Sequence, residues 1–175
     1  MQHIEATAAE QLKIDELMNA KFPVTLATIA KALETTELEA TRKLPENVVT
    51  FVSGNASERF DEIWAELASW EKVTMFIVHD GHVFEIQGKL STGKRAQGYY
   101  NILHKDAAIG GHLRYEEISA CAFTAFPFMG RESLAVQFFN KAGAVSFAVY
   151  VGRENHQLIE SVRDAFLKAR EHFAL

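Results

Sequence analysis

Residues 73–88 read VTMFIVHDGHVFEIQG, with a strand-like apolar run on each side of Asp80-Gly81. An Asp-Gly pair favours a type I′ turn, because both central residues of that turn need a positive φ. We therefore predict a β-hairpin here, with strands over residues 73–79 and 82–88. In such a hairpin His79 and His82 are direct cross-strand neighbours on one face, with Cβ atoms roughly 5 Å apart.

The sequence after this hairpin continues as strand-like runs separated by turn-forming residues. The predicted strands cover residues 98–104, 109–115, 118–126, 133–140 and 144–151. Glycines or turn dipeptides separate most of these runs, as at Gly130 and at Lys141-Ala142-Gly143. Because no insertion of helix length lies between the strands, we expect an antiparallel meander and not parallel βαβ units.

Helices are predicted on both sides of the strand region. They cover residues 24–33, 36–44, 57–70 and the chain from about Glu154 onwards, with a short strand over 47–52. Thr36 and Glu39 have the spacing of a capping box, and Ser57 is a candidate N-cap for the third helix. We therefore predict an α+β fold with N-terminal helices, one large antiparallel β-sheet and a C-terminal helix.

Length and composition are those of one globular domain. The chain has 175 residues, of which 48% are hydrophobic and 23% are charged. We expect a single domain over residues 1–175. Within it, residues 1–45 form a helical N-terminal cap, and residues 46–175 form the sheet with its flanking helices.

Several classes of protein are disfavoured by the sequence. The single cysteine, Cys121, excludes an internal disulfide and a cysteine-based zinc or iron–sulfur site. No HExxH, P-loop or GxSxG motif is present. The sequence has neither a signal-peptide pattern nor the ~20 apolar residues that cross a bilayer. We expect a cytoplasmic protein without a membrane partner.

The two short helices near the N-terminus resemble a helix-turn-helix, so a DNA-binding regulator is one alternative. Residues 1–45 contain five basic and seven acidic side chains, and the whole chain has a net charge of −5. Such a balance is unfavourable for contacts with phosphates. We therefore favour a helical cap over a DNA-binding unit and expect no nucleic-acid partner.

Residues 79–114 are rich in histidine and in basic side chains. This segment holds four of the seven histidines and has five basic against three acidic residues. Those histidines are His79, His82, His104 and His112. Haem propionates bind Arg or Lys, and haem iron binds His or a tyrosinate. Tyr99 and Tyr100 also lie here, and strand alternation sends them to opposite faces. The alternative that the histidines are hydrogen-bonded structural residues stays open.

Several longer motifs carry a family resemblance over roughly residues 24–165. They are LEATRKLPENVV (38–49), FDEIWAELASWEKVTMFIVHD (60–80), GYYNI (98–102), GGHL (110–113), FMG (128–130), FFNKAGA (138–144) and VGREN (151–155). In their order and spacing the sequence resembles the HutX/ChuX family of cytoplasmic haem-utilisation carrier proteins. The resemblance implies a HemS/ChuS/ChuX-like fold and haem as the bound cofactor.

The resemblance also implies partners. It implies a homodimer whose two subunits together resemble one double-repeat HemS/ChuS-type protein. It further implies a carrier that receives imported haem and delivers it to a haem-degrading enzyme. A haem-degrading enzyme of the HemS/ChuS type is the alternative function.

The site residues follow partly from the resemblance and partly from charge. The family's haem-linked histidines match His79 and His112, and the tyrosine of the GYxN motif, Tyr99, is a further axial candidate. His82 is a candidate because of the hairpin geometry alone. The candidates for binding the propionates, by charge alone, are Lys89, Arg114 and Arg131.

Overall fold

The computed structural model describes residues 1–103 and 107–174. Its helices are α1 (Ala8–Met18), α2 (Leu26–Ala32), α3 (Glu37–Arg42), α4 (Phe60–Ser69) and α5 (Glu160–Ala174). Its strands are β1 (Val49–Phe51), β2 (Val73–His79), β3 (His82–Gly88), β4 (Lys94–Ala96), β5 (Tyr99–Ile102), β6 (Gly111–Leu113), β7 (Ile118–Ala125), β8 (Leu134–Asn140), β9 (Val145–Val151), β10 (Arg153–Glu154) and β11 (Gln157–Leu158). None of the helices in these ranges is long and apolar enough to cross a membrane. His104 lies outside the described residues.

A six-stranded antiparallel sheet is the centre of the fold, with the order β1-β7-β8-β9-β2-β3. The α+β class with a large antiparallel sheet and helices at both ends is therefore confirmed. The hairpin of β2 and β3 has the predicted bounds, and His79 pairs with His82 in its register. Asp80 and Gly81 have φ angles of 49° and 80°, as a type I′ turn requires.

The strands near residues 99 and 112 differ from the prediction, because they do not join the large sheet. β5 pairs with both β4 and β6 in a separate three-stranded sheet. The segment after β3 is bound to α4, where Trp64 Nε1 donates to Ser91 O at 2.9 Å and Leu90 is buried. This attachment directs the next strands over α4 and away from the free edge of β3.

Helices pack on both faces of the large sheet, but the edge strand β3 stays largely exposed. α4 and α5 pack on one face, where Trp64 and Phe166 join a core with Phe123 and Phe138. α1, α2 and α3 pack on the other face over β1, β7 and β8, in a core that includes Phe139. The N-terminal helices thus bury apolar surface against the sheet, as expected of a cap.

The N-terminal end of α3 is bound to the turn between β8 and β9. Leu38 N donates to Gly143 O at 2.9 Å, and Val145 N donates to Glu37 Oε2 at 2.6 Å. A recognition helix contacts bases with its N-terminal residues. Because these residues of α3 face the sheet, the structure argues against the DNA-binding alternative.

Two predicted helix starts are corrected by the structure. Ser57 is not an N-cap: Asn55 Oδ1 accepts bonds from Ser57 N and Glu58 N, and α4 begins only at Phe60. The last helix begins at Glu160 and not near residue 154, because β10 and β11 form a small hairpin. The turn of this hairpin has positive φ angles at Asn155 and His156, at 48° and 65°.

Candidate functional site

Three side chains form a polar cluster on the small sheet. Asn101 and His112 are paired in the register of β5 and β6, and Tyr99 lies two residues before Asn101 on the same face. His112 Nδ1 lies 2.6 Å from Asn101 Oδ1. The rings of Tyr99 and His112 meet edge to face, with centroids 6.1 Å apart. We call these residues the Tyr99–Asn101–His112 cluster.

The two adjacent tyrosines of β5 have different environments, as alternation predicts. The side chain of Tyr99 is partly exposed, whereas Tyr100 is only 2% exposed and packs on Phe60 and Trp64. Tyr100 Oη accepts a hydrogen bond from Gly93 N at 2.8 Å. Burial raises the pKa of Tyr100, so this phenol keeps its proton. Of the two tyrosines, Tyr99 is therefore the one whose phenol is accessible to a ligand.

A cleft of about 520 Å³ lies beside His112, between β6 and the turn joining β8 and β9. Its size falls in the range of about 300–1,000 Å³ that is typical of small-molecule sites. Leu113, Ile118 and Phe147 give the cleft an apolar part. This combination fits a flat apolar ligand that has one polar contact at its centre.

Two cations stand at this cleft, and each is near the same carboxylate. Arg114 Nη2 and Lys141 Nζ lie 3.8 Å and 3.4 Å from Glu117 Oε1. Their side chains are 67% and 62% exposed, so both can turn toward an anion without losing a buried partner. The sequence prediction included Arg114 and missed Lys141, which had been interpreted only as part of a turn.

The histidines of the β2–β3 hairpin lie at an exposed tip. The side chain of His79 is 78% exposed, and its Nε2 lies 3.3 Å from Asp80 Oδ2. β2 pairs with β9 only as far as Phe76, so His79 extends toward the sheet end that carries the cleft. Among the described residues, no hydrogen bond or ring contact links this pair to the Tyr99–Asn101–His112 cluster.

Lys89 and Arg131 lie at the opposite end of the large sheet. Lys89 Nζ donates to Trp70 O at 3.0 Å, at the C-terminal end of α4. Arg131 exchanges backbone hydrogen bonds with Phe128 in the turn between β7 and β8. β7 separates this turn from the cleft by seven residues, about 23 Å of strand. The structure therefore does not bring these two cations to the cleft.

Other chemistry is not supported by the described residues. Cys121 is fully buried, and burial raises the pKa of its thiol, so it is not a nucleophile. Across residues 1–103 and 107–174, no group of three or more His, Cys, Asp or Glu side chains is arranged to hold a metal ion. The Tyr99–Asn101–His112 cluster beside the cleft is thus the strongest candidate site.

The α+β fold thus places an open cleft with an apolar wall and two exposed cations next to a Tyr–His pair, an arrangement that can hold an apolar ligand with anionic groups. Comparison with known families identifies the class more closely. The family model described as haem utilisation ChuX/HutX matches residues 54–168. The chain belongs to this family.

Individual relatives agree with this assignment. The chain is 33% identical, over 161 residues, to the intracellular haem transport protein HutX of Vibrio cholerae, with 92% of this chain and 82% of HutX covered. The solved structure of the haem-binding protein ChuX shares 29% identity at a TM-score of 0.78, covering 91% of this chain and 97% of ChuX. The haem-degrading enzyme ChuS of Escherichia coli O157:H7 is 16% identical and shares the fold at a TM-score of 0.73, over 96% of this chain and 49% of ChuS.

Proposed function

We propose that the protein binds haem and carries it inside the cell, with the iron at the Tyr99–Asn101–His112 cluster. The observation that carries this proposal is the pairing of Tyr99 with His112, 6.1 Å apart between ring centroids, beside the cleft. Family membership supports it, because HutX is described as an intracellular haem transport protein and ChuX as a haem-binding protein.

The residues of the cleft fit the three parts of haem. The apolar part, with Leu113, Ile118 and Phe147, would take the macrocycle. Arg114 and Lys141 would take the propionates through charge-assisted hydrogen bonds. The axial candidates at this cluster are His112, through Nε2, and Tyr99, through its phenolate oxygen. The sheet face carrying Tyr99 is open to solvent, which suits a carrier that must release its cargo to another protein.

The hairpin histidines His79 and His82 would act as an outer contact for haem. They extend toward the same end of the sheet as the cleft, and both are exposed. The resemblance that assigns His79 to haem is compatible with this position. Lys89 and Arg131 are left out of the proposed site because of their distance from the cleft.

We further propose that the protein acts as a homodimer. Val78 and Val83 are paired in the hairpin register and are 61% and 57% exposed, on a strand pair at the edge of the large sheet. Such a surface favours burial against a second copy. The chain matches about half the length of ChuS, which is consistent with two subunits standing in for one longer chain. Light scattering is expected to give about twice the mass of 19.6 kDa.

Delivery to a haem-degrading enzyme completes the proposed role. A carrier retains the Soret band of bound haem when ascorbate is added with catalase. A haem-degrading enzyme loses it under the same conditions. Catalase is needed because free peroxide destroys haem without an enzyme. A persistent band, together with haem transfer to a haem-degrading enzyme, is the expected result.

Haemin titration of the purified apo-protein tests the central proposal. The expected result is a saturable Soret band at one haem per subunit. The visible spectrum then separates imidazole from tyrosinate ligation, because the two ligands give different charge-transfer bands. Linear, unsaturable binding, as for haem adsorbed on a surface, would refute the proposal.

A further inference from the structure

The amide of Asn101 is held in one orientation by three backbone carbonyls. Its Nδ2 donates to the oxygens of Lys94, Ala96 and Tyr99 at 3.2, 3.1 and 3.1 Å. Carbonyl oxygens only accept hydrogen bonds, so a rotated amide would set its own oxygen against three acceptors. The Nδ2 group therefore faces the carbonyls, and Oδ1 faces the other way, toward His112.

This orientation decides which ring nitrogen of His112 carries the proton. Nδ1 of His112 lies 2.6 Å from Asn101 Oδ1. Since an amide oxygen has no proton to give, the ring nitrogen must be the donor. In a neutral imidazole with a proton on Nδ1, the lone pair lies on Nε2. No other hydrogen bond of His112 occurs within the described part of the chain.

We infer that Asn101 is a positioning residue that fixes the Nδ1–H tautomer of His112 and thereby makes Nε2 the ring atom available to haem iron. This inference rests on the proposed function, which places haem next to His112. The same amide also donates to the backbone carbonyl of Tyr99, so one side chain links the backbone of that residue to the His112 ring. A side chain that accepts a hydrogen bond from a metal-ligating histidine holds the imidazole ring in one orientation and raises its basicity.

The tautomer can be measured without haem. Long-range ¹H–¹⁵N correlation spectra of the histidine-labelled apo-protein are expected to show the proton of His112 on Nδ1. In Asn101→Ala that preference is expected to be lost.

A matched control is provided by Asn55, which also binds the backbone of a turn through its side chain, at Ser57 N and Glu58 N. Asn55→Ala removes these bonds at a distance from the small sheet, so the His112 signal is expected to stay as in the wild type. A proton on Nε2 of His112 in the wild-type apo-protein would overturn the inference, even if Asn101→Ala failed to fold.

Haem release supplies the second readout. Loss of an outer partner typically costs about 10- to 100-fold in metal affinity. Asn101→Ala is therefore expected to lose haem to apomyoglobin about 10- to 100-fold faster than wild type. An unchanged tautomer in Asn101→Ala overturns the role of Asn101 alone. Absence of haem binding by the wild type instead overturns the proposed function, so the two failures are distinguishable.

Discussion

The β2–β3 hairpin tip and the small sheet both present histidines to solvent, but only one of them holds its histidine in place. At the tip, the only polar side-chain contact of His79 among the described residues is with the adjacent Asp80. On the small sheet, His112 is bonded to an amide that is itself bonded to three carbonyls. The small sheet therefore fixes the orientation of its histidine ring through a chain of hydrogen bonds that the hairpin tip does not offer among the described residues.

The largest expected effect separates these two regions directly. The double variant Tyr99→Phe/His112→Ala removes both axial candidates of the cluster, so haem affinity is expected to fall by at least about 100-fold, beyond the loss typical of an outer partner. The matched variant His79→Ala/His82→Ala is expected to change haem affinity by less than about threefold, because among the described residues no hydrogen-bond network like that of Asn101 orients these two histidines. Haemin titration followed at the Soret band measures both.

The reverse ranking would break the comparison. If the hairpin variant abolished saturable binding while Tyr99→Phe/His112→Ala kept it, the iron would be held at the tip and the hydrogen-bonded cluster would be structural. Circular dichroism of both double variants shows whether either of them has lost its fold.

A smaller effect is expected from the cations. Arg114→Ala/Lys141→Ala removes two charged groups at the cleft, and charge-assisted hydrogen bonds contribute about 1.5–3 kcal/mol where they are sheltered from water. Both side chains are largely exposed, so solvent screening leaves an expected loss in haem affinity of about tenfold, which grows at low salt.

Lys89→Ala/Arg131→Ala makes the same change in charge at the far end of the sheet. Its affinity for haem is expected to stay within about twofold of the wild type, because long-range charge effects are screened over about 10 Å. Equal losses of haem affinity in the two double variants would show that haem affinity depends on the net charge of the protein and not on the position of these cations.

The last comparison concerns stability and the adjacent tyrosines of β5. Tyr100→Phe leaves Gly93 N without its partner in a partly buried turn, so the free energy of unfolding is expected to fall by about 1–3 kcal/mol. Tyr99→Phe removes an exposed hydroxyl and is expected to change stability by no more than about 0.5 kcal/mol. Urea denaturation measures both. A larger loss of stability in Tyr99→Phe would contradict the assignment of the two roles.

Local rules account for the parts of the fold that the sequence predicted correctly. Asp80-Gly81 fixes the hairpin and its register, since only a few residue pairs accept two positive φ angles. Alternation along β5 separates Tyr99 from Tyr100 for a similar reason, because successive side chains in a strand point to opposite faces.

Long-range contacts account for what the sequence could not predict. The attachment of Ser91 to Trp64 joins residues 27 positions apart, and it moves β4–β6 out of the large sheet. The proximity of Lys141 to His112 likewise depends on how the β8–β9 turn meets the small sheet. Asn155-His156 forms its hairpin turn without glycine, so nothing in the local pattern distinguished that turn from the start of a helix.

The contact between α3 and the β8–β9 turn connects the N-terminal helices to one wall of the cleft. The turn that supplies Lys141 and Ala142 to the cleft is bonded on its other side to Glu37 and Leu38. A fragment trimmed to residues 54–168, the range that the family model matches, would keep every cleft residue named above. It would lose the hydrogen bonds by which Glu37 and Leu38 hold the β8–β9 turn. The N-terminal cap thus holds one wall of the cleft in place through Glu37 and Leu38.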